Sequence, residues 1–189
     1  MSRSAQMQSR RQWRLIPVAH LGRSACARCL DAVIMPVMQN HEKYDWSRLN
    51  HLQVGKYAEY FVKMECVLYG FDVYSAEVDD KGIDFVIRKG HDSYYDVQVK
   101  SSRGFNYIFF PKVKFELRDN MLAAVVFFMP NEAPDLFLIP STAWRAPNRC
   151  FVSRDYEGKK SNPEWGLSVT PTTYPMLAEY SFERIIERL

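Results

Sequence analysis

Residues 81–102 read KGIDFVIRKGHDSYYDVQVKSS, and their reading decides the fold. Counted by parity, Ile83, Phe85 and Ile87 point one way while Asp84, Val86 and Arg88 point the other. In the second run Tyr95, Val97 and Val99 share one face, and Tyr94, Asp96, Gln98 and Lys100 share the opposite one. Residues 89–93 hold Gly90 and Asp92, both turn formers. A hairpin centred near His91 pairs residues whose numbers sum to 182. Asp84 then faces Gln98 with roughly 4.5–5.5 Å between Cβ atoms, and Lys100 lies one strand step further along the same face. A carboxylate and an amide oxygen that close can share one hard cation. A one-residue slip would dissolve the arrangement.

Working outward, residues 52–69 form the clearest helix, with Val54, Tyr57, Ala58, Phe61, Val62 and Leu68 at helical intervals and Gly70 as the stop. Gly55 and Glu59 lie one turn apart, the small residue leaving room beside the acid. A strand is predicted over 71–78, and an extended segment over 105–110. A short helix or turn is predicted over 111–120, where Lys112, Lys114 and Arg118 collect positive charge. The unbroken apolar run at 122–129, LAAVVFFM, suits a central buried strand, and 135–139 returns as its neighbour. Ser141 is the predicted N-cap of a short helix containing Trp144. Residues 165–169 are read as a final edge strand and 175–189 as a terminal helix. The order predicts an α/β sandwich around a mixed sheet.

The chain's 189 residues, 47% hydrophobic and 25% charged, describe a globular protein without repeats or low-complexity tracts. Its net charge is +3. Residues 1–45 carry seven Lys/Arg against three acids, which leaves the remainder at −1. Nucleic-acid contact therefore requires a local basic patch rather than a global field. Residues 1–45 lack sustained periodicity and are read as a basic, poorly ordered extension; residues 46–189 are read as one domain. A translation start at Met38 is an alternative, since the chain reads coherently after it. Four cysteines make no disulfide framework, and Cys26 with Cys29 is only half a zinc site. No run approaches a membrane span, no signal peptide is apparent, and a cytoplasmic location is expected.

Taken alone, Asp84 reads as a solvent-facing acid at a strand start. Gln98 and Lys100 at matching parity leave two readings: a structural ion pair, or a metal and phosphate site. In the second, a divalent ion on Asp84, Gln98 and the Val99 carbonyl would polarise a phosphoryl oxygen. Glu59 could reach that ion through water, which suits Mg²⁺. Gly55-x-x-x-Glu59, Gly82-Ile83-Asp84 and Gln98-Val99-Lys100-Ser101 together resemble the PD-(D/E)XK nuclease superfamily. This is the group of Holliday-junction resolvases and Mrr-type restriction enzymes, including bacterial members with Gln before x-Lys.

The resemblance spans residues 52–140 in element order. It implies a restriction-endonuclease-like α-β-β-β-α-β core, a central mixed sheet flanked by helices. It also implies a Mg²⁺-dependent (or Mn²⁺-dependent) endonuclease cutting DNA in processing, restriction or defence. Asp84 would be the principal metal ligand, Gln98 the second, Lys100 the catalytic amine and Glu59 an accessory acid. The sequence departs from the pattern in the neutral Gln98, which removes one formal charge from the ligand set, and in Gly82-Ile83 before Asp84, where the nominal Pro is absent. The amide leaves open a degenerate module that binds nucleic acid or a protein without cutting. A homodimer is also open, although no coiled coil or exposed apolar helix in the sequence identifies its face.

Remaining candidates are weaker. Ser101 and Ser102 could contact phosphate or simply end the strand. His20, His41, His51 and His91 show no metal spacing. Tyr107, Phe109, Lys112, Lys114 and Phe115 could line a DNA groove or cover a packed core. Residues 155–160 read as an exposed charged loop.

Overall fold

Seven consecutive apolar residues, Met121–Phe127 (β5), are all buried and form the middle of the main sheet. Such a run belongs where both faces are covered, and the computed structural model shows two cores doing so. Leu122, Ala124 and Val126 enter a core beneath the helices, while Met121, Ala123, Val125 and Phe127 enter a second core on the other side. The structure describes residues 43–75, 81–158 and 160–189, all within the compact unit Met38–Leu189. Most of the predicted N-terminal extension, with His20, His41, Cys26 and Cys29, lies outside the described residues.

The main sheet is mixed, as expected. It runs β1 (Asp72–Ser75), β2 (Phe85–Lys89), β3 (Ser93–Ser102), β5 and β6 (Asp135–Pro140), with β3 and β5 parallel and every other pair antiparallel. The β2–β3 hairpin has the register read from parity: Phe85 pairs with Val97, and the ladder continues to Lys89 with Ser93. Phe85, Ile87, Val97 and Val99 consequently face the helices. The predicted strand over 71–78 is shorter, and residues 76–80 lie outside the described set.

Helix α1 (His51–Leu68) begins at a capping box, in which the Asn50 side chain accepts from the Gln53 N–H and Gln53 returns the bond. It buries Val54, Ala58, Val62 and Cys66 against the sheet. Tyr57 and Leu68, both read as part of that apolar face, are 41% and 77% exposed. A short helix α2 (Phe182–Ile186) adds Phe182, Ile185 and Ile186 to the same core.

The second core is closed by a three-stranded antiparallel sheet made of β4 (Tyr107–Pro111), β7 (Phe151–Arg154) and β8 (Glu164–Ser168), in the order β4-β8-β7. Residues 165–169 are therefore not an edge, because β8 is the central strand here. The four-residue β7 carries too short an alternation to be read in sequence. Ile108, Phe110, Phe151 and Leu167 turn inward around Trp144, whose indole N–H donates to the Gly166 carbonyl at 2.8 Å. A Cβ on Gly166 would fall 2.0 Å from the Tyr107 hydroxyl, so only glycine lets that ring lie across the strand.

Where the expected core order has its second helix, residues 103–120 hold β4 and turns. Ser141 does not cap the 3₁₀ helix Ser141–Arg145; it is buried, accepting from the Arg118 N–H and donating to the Arg118 carbonyl. The predicted terminal helix is divided into the 3₁₀ segment Tyr174–Tyr180, with Pro175 in its first turn, and α2. Among the described residues no helix is long and apolar enough to cross a membrane.

Candidate functional site

The candidate site is built where β2 begins and β3 continues past it. Gly82 sits at φ +76°, in the left-handed region that favours glycine. A Cβ there would approach Gln98 Nε2 to 3.0 Å and Lys114 Cβ to 3.1 Å, so the turn is both strained for other residues and crowded. Leaving this turn, the Asp84 N–H donates to the Val97 carbonyl at 2.9 Å. Its carboxylate then accepts from the Val99 N–H at 2.5 Å. Asp84 Oδ2 thus takes the place of the carbonyl that a longer β2 would supply. The N–H and C=O of a strand residue point to the same side, so the Val99 carbonyl faces the same edge.

The ladder of residues summing to 182 ends at the Phe85–Val97 pair; the Asp84 N–H bonds the Val97 carbonyl instead of continuing it, so the expected pairing of Asp84 with Gln98 is not part of the ladder. Gln98 is only 6% exposed, and its Oε1 is buried with no hydrogen-bond partner. A buried carbonyl oxygen left unpaired costs about 1–3 kcal/mol. A hard oxygen of this kind, one residue before the Val99 N–H that holds the Asp84 carboxylate, suits a divalent cation in its donor chemistry. The set is sparse, however: among the described residues no three His, Cys, Asp or Glu side chains are grouped to hold a metal.

Lys100 shares the Gln98 face by strand parity, and its ammonium lies 5.8 Å from the Phe110 ring centroid. It takes part in no ion pair among the described residues. Glu59 is placed differently. It stands on α1, on the other side of the sheet from Gln98 and Lys100, and its carboxylate binds Lys56 Nζ at 2.6 Å. That bond to Glu59 raises the Lys56 pKa, with a smaller contribution from the charge of Asp84. This end of α1 therefore lies within electrostatic reach of Asp84.

Beside Gly82 opens a cleft of about 370 Å³ lined by Lys81, Lys114, Glu116 and Arg118 among others. Arg118 is committed to Asp96. Lys81 and Lys114 form no ion pair among the described residues. Lys81 was not singled out in the sequence; its only signal there is its position beside Gly82. Lys112, grouped with Lys114 in the sequence reading, points elsewhere: it binds Asp155 at 2.6 Å and lies 4.0 Å from the Trp165 ring centroid. Phe115 is core, and Tyr107 is held over Gly166 with its hydroxyl donating to Glu164 at 2.7 Å. Phe109 alone of that aromatic group is half exposed.

Ser102 donates to the Gly104 carbonyl at 2.9 Å and ends the strand. His51 and His91 are exposed, at a helix start and in the hairpin turn. Cys66 and Cys150 are buried free thiols whose pKa values burial pushes up to about 12 and about 11, the opposite of a reactive cysteine.

No protein-family model matches this sequence, and no curated protein is similar to it at the sequence level. Among solved structures, the chain is similar to the Holliday junction resolvase Hjc of the archaeal hyperthermophile Archaeoglobus fulgidus. The TM-score is 0.46 at 15% identity, covering 70% of this chain and 95% of the resolvase. It is also similar to a bacterial homing endonuclease, with a TM-score of 0.43 at 16% identity, covering 74% of this chain and 93% of that one.

Proposed function

We propose that this chain is a metal-dependent endonuclease that hydrolyses DNA phosphodiester bonds at Asp84, Gln98 and Lys100. The observation that carries the reading is the buried Gln98 Oε1 without a hydrogen-bond partner, one residue before the Val99 N–H that holds the Asp84 carboxylate. Asp84, Gln98 and the Val99 carbonyl would hold a divalent ion, Mg²⁺ or Mn²⁺ by oxygen-donor chemistry. When bound, that ion supplies Lewis-acid polarisation of the phosphoryl oxygen and a more acidic water.

The protein's own groups do the rest. The Val99 N–H fixes the Asp84 carboxylate at the sheet edge. Lys100, in no ion pair among the described residues, orients the attacking water and offsets negative charge gathering on the phosphoryl oxygens. Water adds to phosphorus, the bond to the leaving oxygen breaks, and that oxygen takes up a proton. Lys81 and Lys114 in the neighbouring cleft hold the adjoining phosphate of the strand. Glu59 acts at most from the helix side, since Lys56 already engages it.

The test is incubation of the full chain with linear, branched and single-stranded DNA in Mg²⁺ or Mn²⁺. Cleavage lost in both Asp84→Ala and Lys100→Ala supports the assignment, and cleavage retained in both sinks it. Salt-sensitive DNA binding without cleavage in either metal would instead favour a binding module, the reading that the neutral Gln98 also admits.

A further inference from the structure

Residues 110–118 cross the face of β3 that carries Asp96, Gln98 and Lys100. Arg118 pairs with Asp96. Four residues earlier, Lys114 presses on the same side of Gly82 as Gln98: a Cβ on that glycine would lie 3.1 Å from Lys114 Cβ and 3.0 Å from Gln98 Nε2. Four residues earlier again, the Phe110 ring centroid lies 5.8 Å from the Lys100 ammonium. Positions 96, 98 and 100 are thus met in turn by 118, 114 and 110. The crossing segment is fastened along its length. Phe110 and Phe115 are fully buried, with ring centroids 4.5 Å apart. Lys112 binds Asp155, the Trp165 indole N–H donates to the Phe115 carbonyl at 3.1 Å, and Arg145 donates to the Leu117 carbonyl at 3.2 Å. The segment is therefore a fixed roof, and Gln98 beneath it is 6% exposed.

We infer that this roofed site takes an unpaired DNA strand and refuses the intact duplex, an inference that rests on the reading of Asp84, Gln98 and Lys100 proposed above. The cleft of about 370 Å³ beside Gly82 is walled by Lys81 and Ile83 on the β2 side and by Val113, Lys114 and Glu116 on the roof. That volume lies at the lower end of small-ligand pockets, a space of nucleotide size. A duplex carries its phosphates on a rod whose major groove alone is ~12 Å wide. Its persistence length of ~50 nm resists folding one strand into so narrow a space. A single strand enters as one flexible backbone, with phosphates within reach of Lys81 and Lys114. Val113, 83% exposed at the rim, offers an apolar surface to an unstacked base, which only an unpaired strand presents. Glu116 in the same lining lies 3.9 Å from Arg118, which offsets its charge.

Fluorescence anisotropy on the full chain without divalent metal tests this by binding alone. The probes are a labelled oligothymidylate and the blunt duplex it forms with oligoadenylate, at one salt concentration. The single strand should bind about tenfold more tightly or better. The double variant Val113→Asp, Lys114→Gln should erase that preference by weakening the single strand and leaving the duplex unchanged. Both positions are exposed, so its circular dichroism should match wild type. Photocross-linking with bromodeoxyuridine in the single strand, read by peptide mass spectrometry, should mark residues 81–83 or 113–116. Equal or tighter binding of the duplex, no binding of either form, or cross-links confined to other residues overturns the inference. The proposed chemistry fails separately. Single-strand binding in the cleft without cleavage in Mg²⁺ or Mn²⁺ supports this inference and overturns that reaction; cleavage within blunt duplex that is lost in Asp84→Ala does the reverse.

Discussion

Replacing Gln98 by Glu asks directly whether the buried amide belongs to a metal centre. In the proposed centre, without its metal, the new carboxylate and that of Asp84 would share one ion site, roughly 5 Å apart. At an effective dielectric of ~20, two like charges that close repel by about 3 kcal/mol. Because the position is only 6% exposed, desolvation adds to the cost of ionisation. Both effects raise the folded-state pKa of residue 98 above the ~4.3 of an unfolded Glu. The folded variant therefore holds a proton that the unfolded chain releases, and stability falls as pH rises above ~4.3.

Urea unfolding at neutral pH should show the metal-free variant about 3 kcal/mol less stable than wild type, with the deficit vanishing near pH 4. Millimolar Mg²⁺ should restore the loss in the variant and stabilise wild type far less, since only the variant adds a second charged ligand. If Gln98→Glu is as stable as wild type without metal, and Mg²⁺ shifts neither midpoint, the site is a structural face and the reasoning fails.

Three further outcomes follow from the same geometry. Gly82→Ala should destabilise the fold by about 1–3 kcal/mol, since a positive φ and a 3.0 Å approach to Gln98 must both be accommodated, and thermal unfolding would register it. Lys81→Gln and Lys114→Gln should each weaken DNA binding equally across sequences and lower the slope of log affinity against log salt by about one, as a salt titration by fluorescence anisotropy would show. Cys66 and Cys150 should resist alkylation in the folded protein, read by site-resolved mass spectrometry. Their folded pKa values are raised by burial, so the unfolded chain ionises first. Stability should decline from pH 9 toward about 12 for Cys66 and about 11 for Cys150.

Much of this molecule follows from short-range pattern. Parity in residues 81–102 determined the register of the β2–β3 hairpin, because a period of two assigns every side chain to a face and a turn at Gly90 fixes the pairing. The unbroken apolar run at 121–127 could only be a strand covered on both sides. Gln98 and Lys100 were legible on one face of β3 for the same reason.

Other features depended on what the chain packs against. The orphaned Gln98 oxygen, the Asp84 carboxylate bound to the Val99 N–H and the setting of Lys81 and Lys114 depend on β2 beginning at Phe85 and the cleft opening beside Gly82. The second sheet was hidden because β7 is four residues long and β8 lies far along the chain from β4. Helical periodicity likewise could not tell α1's buried stripe from its exposed one, since both are apolar. Only the sheet beneath Val54, Ala58 and Val62 decided which face was core and left Tyr60, Met64 and Leu68 outside. For the hairpin, local spacing sufficed because the strand pleat converts sequence position into direction. For the site's charge balance and the second helix face, the deciding neighbours come from distant parts of the chain.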